Sequence, residues 1–336
     1  MTLVGLTASI VIAVVTAALV RAVMPAVGRS LSLGRRNFAG ETVSTGYGIM
    51  IWLPVGIALG WSTTQNVAGT APAATALVLF GLVGLADDLW GDRSAGGFRG
   101  HLRQLAKRGQ VSTGLVKLAV GGGAALALGL WLAGDAAPPV LRALLEPSTP
   151  STASLPPLPD LAPKPPPAWA GLLQVLTSAV VIALGANTLN LFDVRPLRAL
   201  KLFALGGVLL AGTTVPVFAA GRLPAPPAGW PAWLRGAPGP PAAAAFLLGP
   251  ALAAALLYAP LESRRRAMLG DTGANALGAL LGVAACVVLP LAGQVALAAA
   301  LAGINLYAET HSLSAWIQSH PLLDRLDRWG WRNVDG

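Results

Sequence analysis

The sequence contains little charge. Only 11% of its 336 residues are Asp, Glu, Lys or Arg, whereas 54% are hydrophobic. A soluble globular chain carries about 25% charged residues, so this composition excludes an ordinary water-soluble domain. It is typical of a protein that crosses the membrane several times.

Cysteine is almost absent. The single one, Cys286, lies within an apolar segment. One thiol cannot form an intramolecular disulfide, so the fold contains no disulfide crosslink within the chain.

Apolar segments, in contrast, are abundant. Nine of them are long enough, or nearly so, to cross a hydrocarbon core about 30 Å thick as helices. We therefore predict an all-α integral membrane bundle of about nine transmembrane helices, forming one transmembrane domain over residues 1–308. The second and third segments are short. The predicted spans are residues 3–27, 47–61, 73–87, 115–134, 170–190, 202–219, 242–259, 276–291 and 292–308.

Lysine and arginine alternate between loops in a way that predicts orientation. With the amino terminus outside, the inner loops hold seventeen of them and the outer loops four. Cytoplasmic loops retain positive charge, so we expect the amino terminus outside and the carboxyl terminus in the cytoplasm. The net charge of +9 then indicates membrane topology and affinity for anionic lipids rather than nucleic-acid binding.

Two predicted outer loops are rich in proline. Residues 135–169 and 221–241 carry eighteen of the 27 prolines, which favour extended, solvated backbone. Residues 309–336 are too polar to span a membrane. Their tryptophans and mixed charges predict a cytoplasmic tail that lies at the interface, with Pro321 opening its second helix.

Three unusual polar clusters fall on the predicted cytoplasmic side. "GLADDLWGD" begins at Gly84, at the end of the third apolar segment. "GANTLNLFD" ends the fifth and places Asn187, Asn190 and Asp193 along one side of a helix. "RRRAMLGDTGAN" places Asp271 just before a helix start.

Each cluster has a simpler structural interpretation. Asp271 or Thr272 could cap the following helix, the Asn/Asp cluster could form interhelical hydrogen bonds, and Lys117 could be an interfacial lysine. Asp87 and Asp88 fit these interpretations least, because they end a helix whose dipole is already negative there. A bound cation explains them better. Magnesium commonly binds one or two carboxylates plus substrate phosphates, so we expect a diphosphate at the membrane surface.

These motifs resemble a known family. "NFAGETVSTGYGI", "GLADD", Lys117, "NTLNLFD" and "MLGDTGAN" occur in the order found in the polyprenyl-phosphate N-acetylhexosamine-1-phosphate transferases, relatives of the phospho-N-acetylmuramoyl-pentapeptide translocase. The resemblance implies transfer of a sugar-1-phosphate from a UDP-sugar to undecaprenyl phosphate, with release of UMP. It also implies a bacterial cytoplasmic membrane, an active site facing the cytoplasm and a role in cell-envelope glycan synthesis.

The resemblance assigns catalytic roles to four residues. Asp271 and Asp88 would bind Mg²⁺, which Mn²⁺ could replace. Asp87 would orient or deprotonate the lipid phosphate, and Lys117 would hold a phosphate. The roles of Asp87 and Asp88 could be exchanged.

Further residues are predicted to bind substrate. The resemblance places Asn187, Asn190 and Asp193 in the nucleotide site. The remaining candidates come from the "MLGDTGAN" motif, from the glycine-rich basic loop after the third helix, and from the predicted tail. They are Thr272, Gly273, Asn275, Arg99, His101 and His311.

The sequence also departs from the family. "DVRPLRALK" stands where the family has a glycine-rich run, the histidine-rich stretch is absent, and the last membrane helix is missing. The donor sugar is therefore open. So are two other functions: a catalytically silent scaffold or lipid-carrier transporter, and an intramembrane prenyltransferase that uses "DDLWGD". The expected partners are the polyprenyl phosphate, the UDP-sugar and the membrane, with no nucleic acid, and a homodimer is compatible with them.

Overall fold

The computed structural model describes residues 3–30, 34–36, 40, 42–67, 69–91, 113–134, 168–212 and 240–331. These residues form a helical bundle with one small hairpin. The elements are α1 (Leu3–Ser30), β1 (Gly34–Arg36), β2 (Thr42–Ser44), α2 (Ile49–Thr64), α3 (Thr70–Trp90), α4 (Thr113–Ala133), α5 (Ala168–Phe192), α6 (Arg198–Gly212), α7 (Pro240–Ser263), α8 (Gly270–Val288), α9 (Leu291–Ala308), α10 (Leu313–Gln318) and α11 (Pro321–Arg328).

Seven of the helices in these ranges are long and apolar enough to cross a membrane, namely α1, α3, α4, α5, α7, α8 and α9. The prediction of an all-α, multi-pass membrane bundle is therefore confirmed. The helix α2 has only 16 residues, as its short apolar segment predicted. The helix α3 has 21, because it continues through both aspartates of "GLADD". The count of nine crossings and the orientation stay predictions.

The helix α8 lies at the centre of the bundle, and seventeen of its nineteen residues are buried. Small residues make this position possible, because they let helix backbones approach closely. A Cβ atom on Gly278 would overlap the backbone of α5 at Gly185, and one on Gly84 of α3 would overlap the backbone of Asp271. Close packing on α3 and α5 therefore fixes where α8 begins.

The helix α9 packs on the outside of the bundle and is held by one buried amide. The Nε2 atom of Gln294 donates hydrogen bonds to the carbonyls of Cys286 and Leu289, and its Oε1 atom accepts one of 2.9 Å from Gln174 of α5. An amide in an apolar bundle is costly unless all its groups are bonded. This one is bonded at both ends, so it acts as a structural link.

The hairpin β1–β2 is antiparallel and holds the segment that precedes α8. Ser44 pairs with Ala267 outside the hairpin, and the N–H of Met268 donates to the carbonyl of Ser44 at 2.9 Å. The N–H of Gly48 donates to the carbonyl of Leu269 at 3.0 Å. The loop after α1 and the loop before α8 are therefore joined by backbone hydrogen bonds.

The predicted proline-rich loops fall almost wholly outside the described residues. The predicted tail is described as far as residue 331 and forms α10 and α11. Pro321 stands at the first turn of α11, as predicted.

Candidate functional site

Asp88 joins the end of α3 to the start of α8. Its buried carboxylate accepts hydrogen bonds from the backbone N–H groups of Asp271 at 3.2 Å and Thr272 at 3.0 Å. The first N–H groups of a helix have no partner within the helix, and they carry partial positive charge. The position of Asp88 near the carboxyl end of α3 is thus explained, because its carboxylate caps the amino terminus of α8.

The turn before α8 depends on a glycine. Gly270 has φ of +71°, which favours glycine, and a Cβ atom there would also crowd the carboxylate of Asp88. The N–H of Gly270 donates to Oδ2 of Asp193 at 2.9 Å. Two carboxylates from different elements, those of Asp88 and Asp193, therefore hold the start of α8 in place.

Asp193 lies just beyond the end of α5 and is partly buried. Burial raises the pKa of its carboxyl group well above the usual value, and the nearby acids Glu262, Asp271 and Asp88 raise this pKa further. The hydrogen bond from Gly270 acts in the opposite direction. Asp193 therefore favours its protonated form more than a carboxyl group in water does.

Lys117 brings together two carboxylates from two other helices. Its Nζ atom lies 3.3 Å from Oδ2 of Asp87 and also contacts Oδ2 of Asp271. The side chains of Lys117, Asp87 and Asp271 are 23%, 26% and 19% exposed, respectively. We call these three residues the open cluster. Each has a protein partner, and each can also be reached from outside.

Carboxylate oxygens lie close together at the open cluster. Asp87 and Asp271 share the ammonium group of Lys117, and the carboxylate of Asp88 accepts from backbone N–H groups at the start of α8. Hard oxygen donors suit a divalent cation such as Mg²⁺, which often completes its shell with phosphate oxygens. Asp87 is the partner that shares an ammonium with Asp271, whereas Asp88 is engaged with the backbone of α8. Within the described residues, no three His, Cys, Asp or Glu side chains form a metal site by themselves.

The rest of the "MLGDTGAN" motif lies deeper. Thr272 is fully buried, where its Oγ1 donates to the carbonyl of Gly81 and accepts from Nε1 of Trp52, both at 2.9 Å. Gly273 lies directly against Gly48, where a Cβ atom would not fit. Asn275 is buried as well. All three predicted substrate residues are therefore buried, and Thr272 and Gly273 connect the start of α8 to α2 and α3.

The predicted Asn/Asp cluster is divided between two places. The Nδ2 atom of Asn187 donates to Oδ1 of Asn305 on α9 at 2.5 Å, and Asn305 donates in turn to Thr188 at 2.8 Å. The carbonyl of Asn190 accepts from the N–H of Asp193, closing the turn. Of the three predicted nucleotide residues, Asp193 is the one that contacts the start of α8.

Three other predicted residues are not brought to the open cluster. Arg99 and His101 lie outside the described residues. His311 is exposed after α9, where it stacks on Tyr307 with 4.4 Å between ring centroids and contacts Thr310. Its contacts are therefore local.

Sequence reasoning missed a buried acid on α7. Glu262 and the aromatic ring of Tyr258, one turn earlier, are both buried, and Oε2 of Glu262 and the Tyr258 hydroxyl have no hydrogen-bond partner within the described residues. Glu262 lines a small cavity with Asp193 and Arg265. An acid in an apolar stretch is expensive near a membrane, and "LLYAPLESRRR" carried that signal.

The tail binds the turn between α5 and α6. The guanidinium of Arg198 donates to both carboxylate oxygens of Asp327 at 2.7 Å, and Lys201 donates to the carbonyl of Asp327 at 2.7 Å. The guanidinium also donates to Ser314 at 2.8 Å, and the indole N–H of Trp331 donates to the carbonyl of Pro196 at 3.0 Å. We call Arg198, Lys201, Ser314, Asp327 and Trp331 the tail clamp.

No protein-family model matches the sequence, and no curated protein matches it. A functional interpretation therefore depends on the geometry of the open cluster and on the motifs from which it is built.

Proposed function

We propose that this protein transfers a sugar-1-phosphate from a UDP-sugar to a polyprenyl phosphate, with release of UMP, at the cytoplasmic face of a bacterial membrane. One observation carries the proposal: Asp87, Lys117 and Asp271, from three helices, contact one another at one end of an apolar bundle and remain partly exposed. A phosphate in the lipid headgroup region and a soluble nucleotide can both reach such a position.

The donor set supports a magnesium-dependent reaction. Asp87 and Asp271 supply carboxylate oxygens at neighbouring positions, the type of ligand that Mg²⁺ prefers. Bound Mg²⁺ would supply charge neutralisation for the diphosphate of the donor. Asp271 and Asp87 would hold it, while Asp88 would keep the backbone of Asp271 in position.

The reaction must bring two anions together. An oxygen of the lipid phosphate would form a bond to the β-phosphorus of the UDP-sugar, and the bond from that phosphorus to the bridging oxygen would break. The electron pair of that bond would leave with UMP. Catalysis would come from placing positive charge where negative charge develops. Lys117 is suited to this role, because its ammonium group has three donors and lies between two carboxylates that fix its position.

Asp87 is suited to orienting the lipid phosphate. It ends α3, is partly exposed, and is next in sequence to the buried Asp88. A protonated lipid phosphate could donate its proton to a carboxylate at this position. The buried capping role of Asp88 favours Asp87 as the acid that meets the substrate.

A labelled-donor assay tests the proposal. Purified protein is incubated with Mg²⁺, undecaprenyl phosphate and a panel of radiolabelled UDP-sugars, and label in the organic phase is measured together with UMP. We expect label from at least one sugar to enter the organic phase with an equal amount of UMP. A chelator should stop the transfer, and added Mg²⁺ should restore it.

The same assay distinguishes the other functions. Asp324→Asn is the matched control, since Asp324 lies in the tail, where its carboxylate pairs with Arg328 of the same helix. No transfer across the full panel would favour a silent scaffold or lipid-carrier transporter. Transfer of a prenyl group from a labelled prenyl diphosphate would identify a prenyltransferase instead. Either result would overturn the proposal.

A further inference from the structure

The helix α11 buries an aspartate and exposes two of its three leucines. Asp327 is buried against the bundle, whereas Leu322, Leu326 and Trp329 are 75%, 60% and 73% exposed. Leu322 and Leu326 lie one turn apart on one side of α11, and Trp329 is the residue that follows its last turn. We call these three residues the outer stripe. A helix on a water-soluble protein would have the opposite orientation.

The tail clamp fixes this orientation. The bidentate pair between Arg198 and Asp327 uses both carboxylate oxygens, and Lys201 donates to the carbonyls of Leu326 and Asp327 at the end of α11. Rotating α11 to bury its leucines would break all of these bonds. The outward position of the stripe is therefore a consequence of strong, specific contacts on the other side.

The tail also lies at the level where the spans end. Four residues separate the end of α9 at Ala308 from the start of α10 at Leu313. The clamp holds α11 against the turn between α5 and α6, which directly follows the candidate span that ends at Phe192. The tail is thus attached to the ends of two helices that are apolar enough to cross a membrane.

We propose that the outer stripe, together with Trp316 of α10, docks into the headgroup region of the bilayer leaflet at this end of the bundle. Trp316 is 45% exposed, and tryptophan favours the membrane interface. Arg325 is exposed on α11. Its guanidinium group can reach lipid phosphates there, while its aliphatic stem covers apolar surface. Short amphipathic helices commonly lie in this plane.

A bilayer fits this surface better than a second copy of the chain. A standard protein interface buries about 800 Å² on each partner. Two side chains on an eight-residue helix and one on the residue after it offer only a part of that area. The bilayer is already present at the ends of the neighbouring helices, and its contact requires no complementary shape. This inference does not depend on the proposed transferase activity.

Site-directed spin labels test the docking. Cys286→Ala first removes the one native thiol, and a label is then attached in the full-length protein through Leu322→Cys, Leu326→Cys or Ser319→Cys. Position 319 is the matched control, because Ser319 is exposed on the tail but lies outside the stripe. Each protein is reconstituted into vesicles of phosphatidylcholine and phosphatidylglycerol. Collision rates with oxygen, which partitions into lipid, and with a water-soluble nickel chelate are measured.

We expect labels at 322 and 326 to collide more with oxygen and several-fold less with the nickel chelate than the label at 319. Equal nickel collision rates at all three positions would overturn the docking. A defined distance between stripe labels on two copies, measured by dipolar spectroscopy, would assign the stripe to a second chain and would also overturn it.

A charged variant separates docking from folding. Leu326→Glu changes an exposed residue, so thermal unfolding in detergent should be unchanged. With the label at position 322, nickel collisions in vesicles should rise several-fold, to the rate at position 319. Unchanged nickel collisions in this variant would show that the stripe does not enter lipid.

Discussion

Two groups of oppositely charged side chains lie at the same end of the bundle, and they differ in their access to the outside. In the open cluster, Lys117, Asp87 and Asp271 are each about one-fifth to one-quarter exposed. In the tail clamp, the side chains of Arg198 and Asp327 are only 5% and 2% exposed. Both groups pair carboxylate with cation, yet only one can meet a ligand.

The two groups also differ in their positively charged side chain, which is arginine in the tail clamp and lysine in the open cluster. In the tail clamp, the planar guanidinium of Arg198 donates to both carboxylate oxygens of Asp327. This bidentate geometry is specific, and the pair is buried from solvent. Lysine in the open cluster is a point charge shared by two acids, and it can shift toward an added phosphate. A closed pair stabilises the attachment of the tail, whereas an open one is suited to binding anions and cations.

Breaking the clamp should have the largest effect. Arg198→Ala removes the bidentate partner of the buried Asp327 and leaves it with the more distant guanidinium of Arg195, 4.0 Å from Oδ2, so we expect a loss of about 3 kcal/mol, the lower end for a broken buried pair. We expect a large fall in the thermal unfolding temperature in detergent and faster proteolysis after α9. The double variant Arg198→Met with Asp327→Leu should recover much of the stability, because no buried charge is left unpaired. If the single variant unfolds like the wild type, the clamp is not structural.

Removing the cation of the open cluster should affect activity more than folding. Lys117→Met should lower transfer by about 100- to 1,000-fold, the usual loss when one stabilising group is removed from an active site. Its ion pairs are more exposed than the pair of the tail clamp, so stability should fall less than in Arg198→Ala. Radiolabel transfer and thermal unfolding are measured on the same sample, with Asp324→Asn as control. A loss of stability equal to that of Arg198→Ala would remove the contrast between the two groups.

The two adjacent aspartates should respond differently to the same change. Asp88→Asn replaces one acceptor oxygen with an N–H group that faces a backbone donor, so the variant should lose about 1–3 kcal/mol of stability. Asp87→Asn should lose activity with little change in unfolding. Parallel denaturation and transfer assays compare them. Equal stability of both variants would contradict the capping role of Asp88.

Asp193 gives the smallest expected effect, visible as a dependence on pH. Its pKa is raised above the usual 3.8, so the folded protein binds its proton more tightly than the unfolded chain does. Stability from this group is therefore complete below 3.8 and is lost as pH rises through the folded pKa. Asp193→Asn keeps an acceptor for Gly270 but cannot titrate, so stability should fall less with rising pH. Identical pH profiles of unfolding for variant and wild type would contradict this.

Much of the bundle could be predicted from composition and apolar length. Each of the nine predicted spans corresponds to a helix within the described residues, because a backbone in lipid must satisfy its own hydrogen bonds. The ends were less well predicted. The helix α3 extends to Trp90, since the two aspartates at its end are stabilised by contacts with other helices that no local pattern reveals.

The candidate site could be predicted only in part. The motifs assigned Asp87, Lys117 and Asp271 to one predicted site, and Lys117 contacts both acids in the structure, although Lys117 and Asp271 are 154 residues apart in sequence. Their predicted roles stay predictions. Three features could not be predicted, because they depend on the rotation of each helix about its own axis. They are the role of Asp88 as a helix cap, the role of Asn187 as an interhelical link and the burial of Glu262. An apolar helix surrounded by others has no polar face to show that orientation.

The sequence by itself determined that this chain is a membrane bundle and which polar residues are too costly to be incidental, because transfer of charge into an apolar environment is penalised wherever it occurs. The tertiary structure decided how each of those charges is used. Contacts between distant segments close some pairs against water, as with Arg198 and Asp327, and leave others such as Lys117 with Asp87 partly open. The exposure of a side chain to solvent depends on how all the helices pack together, so it cannot be predicted from one segment of the sequence.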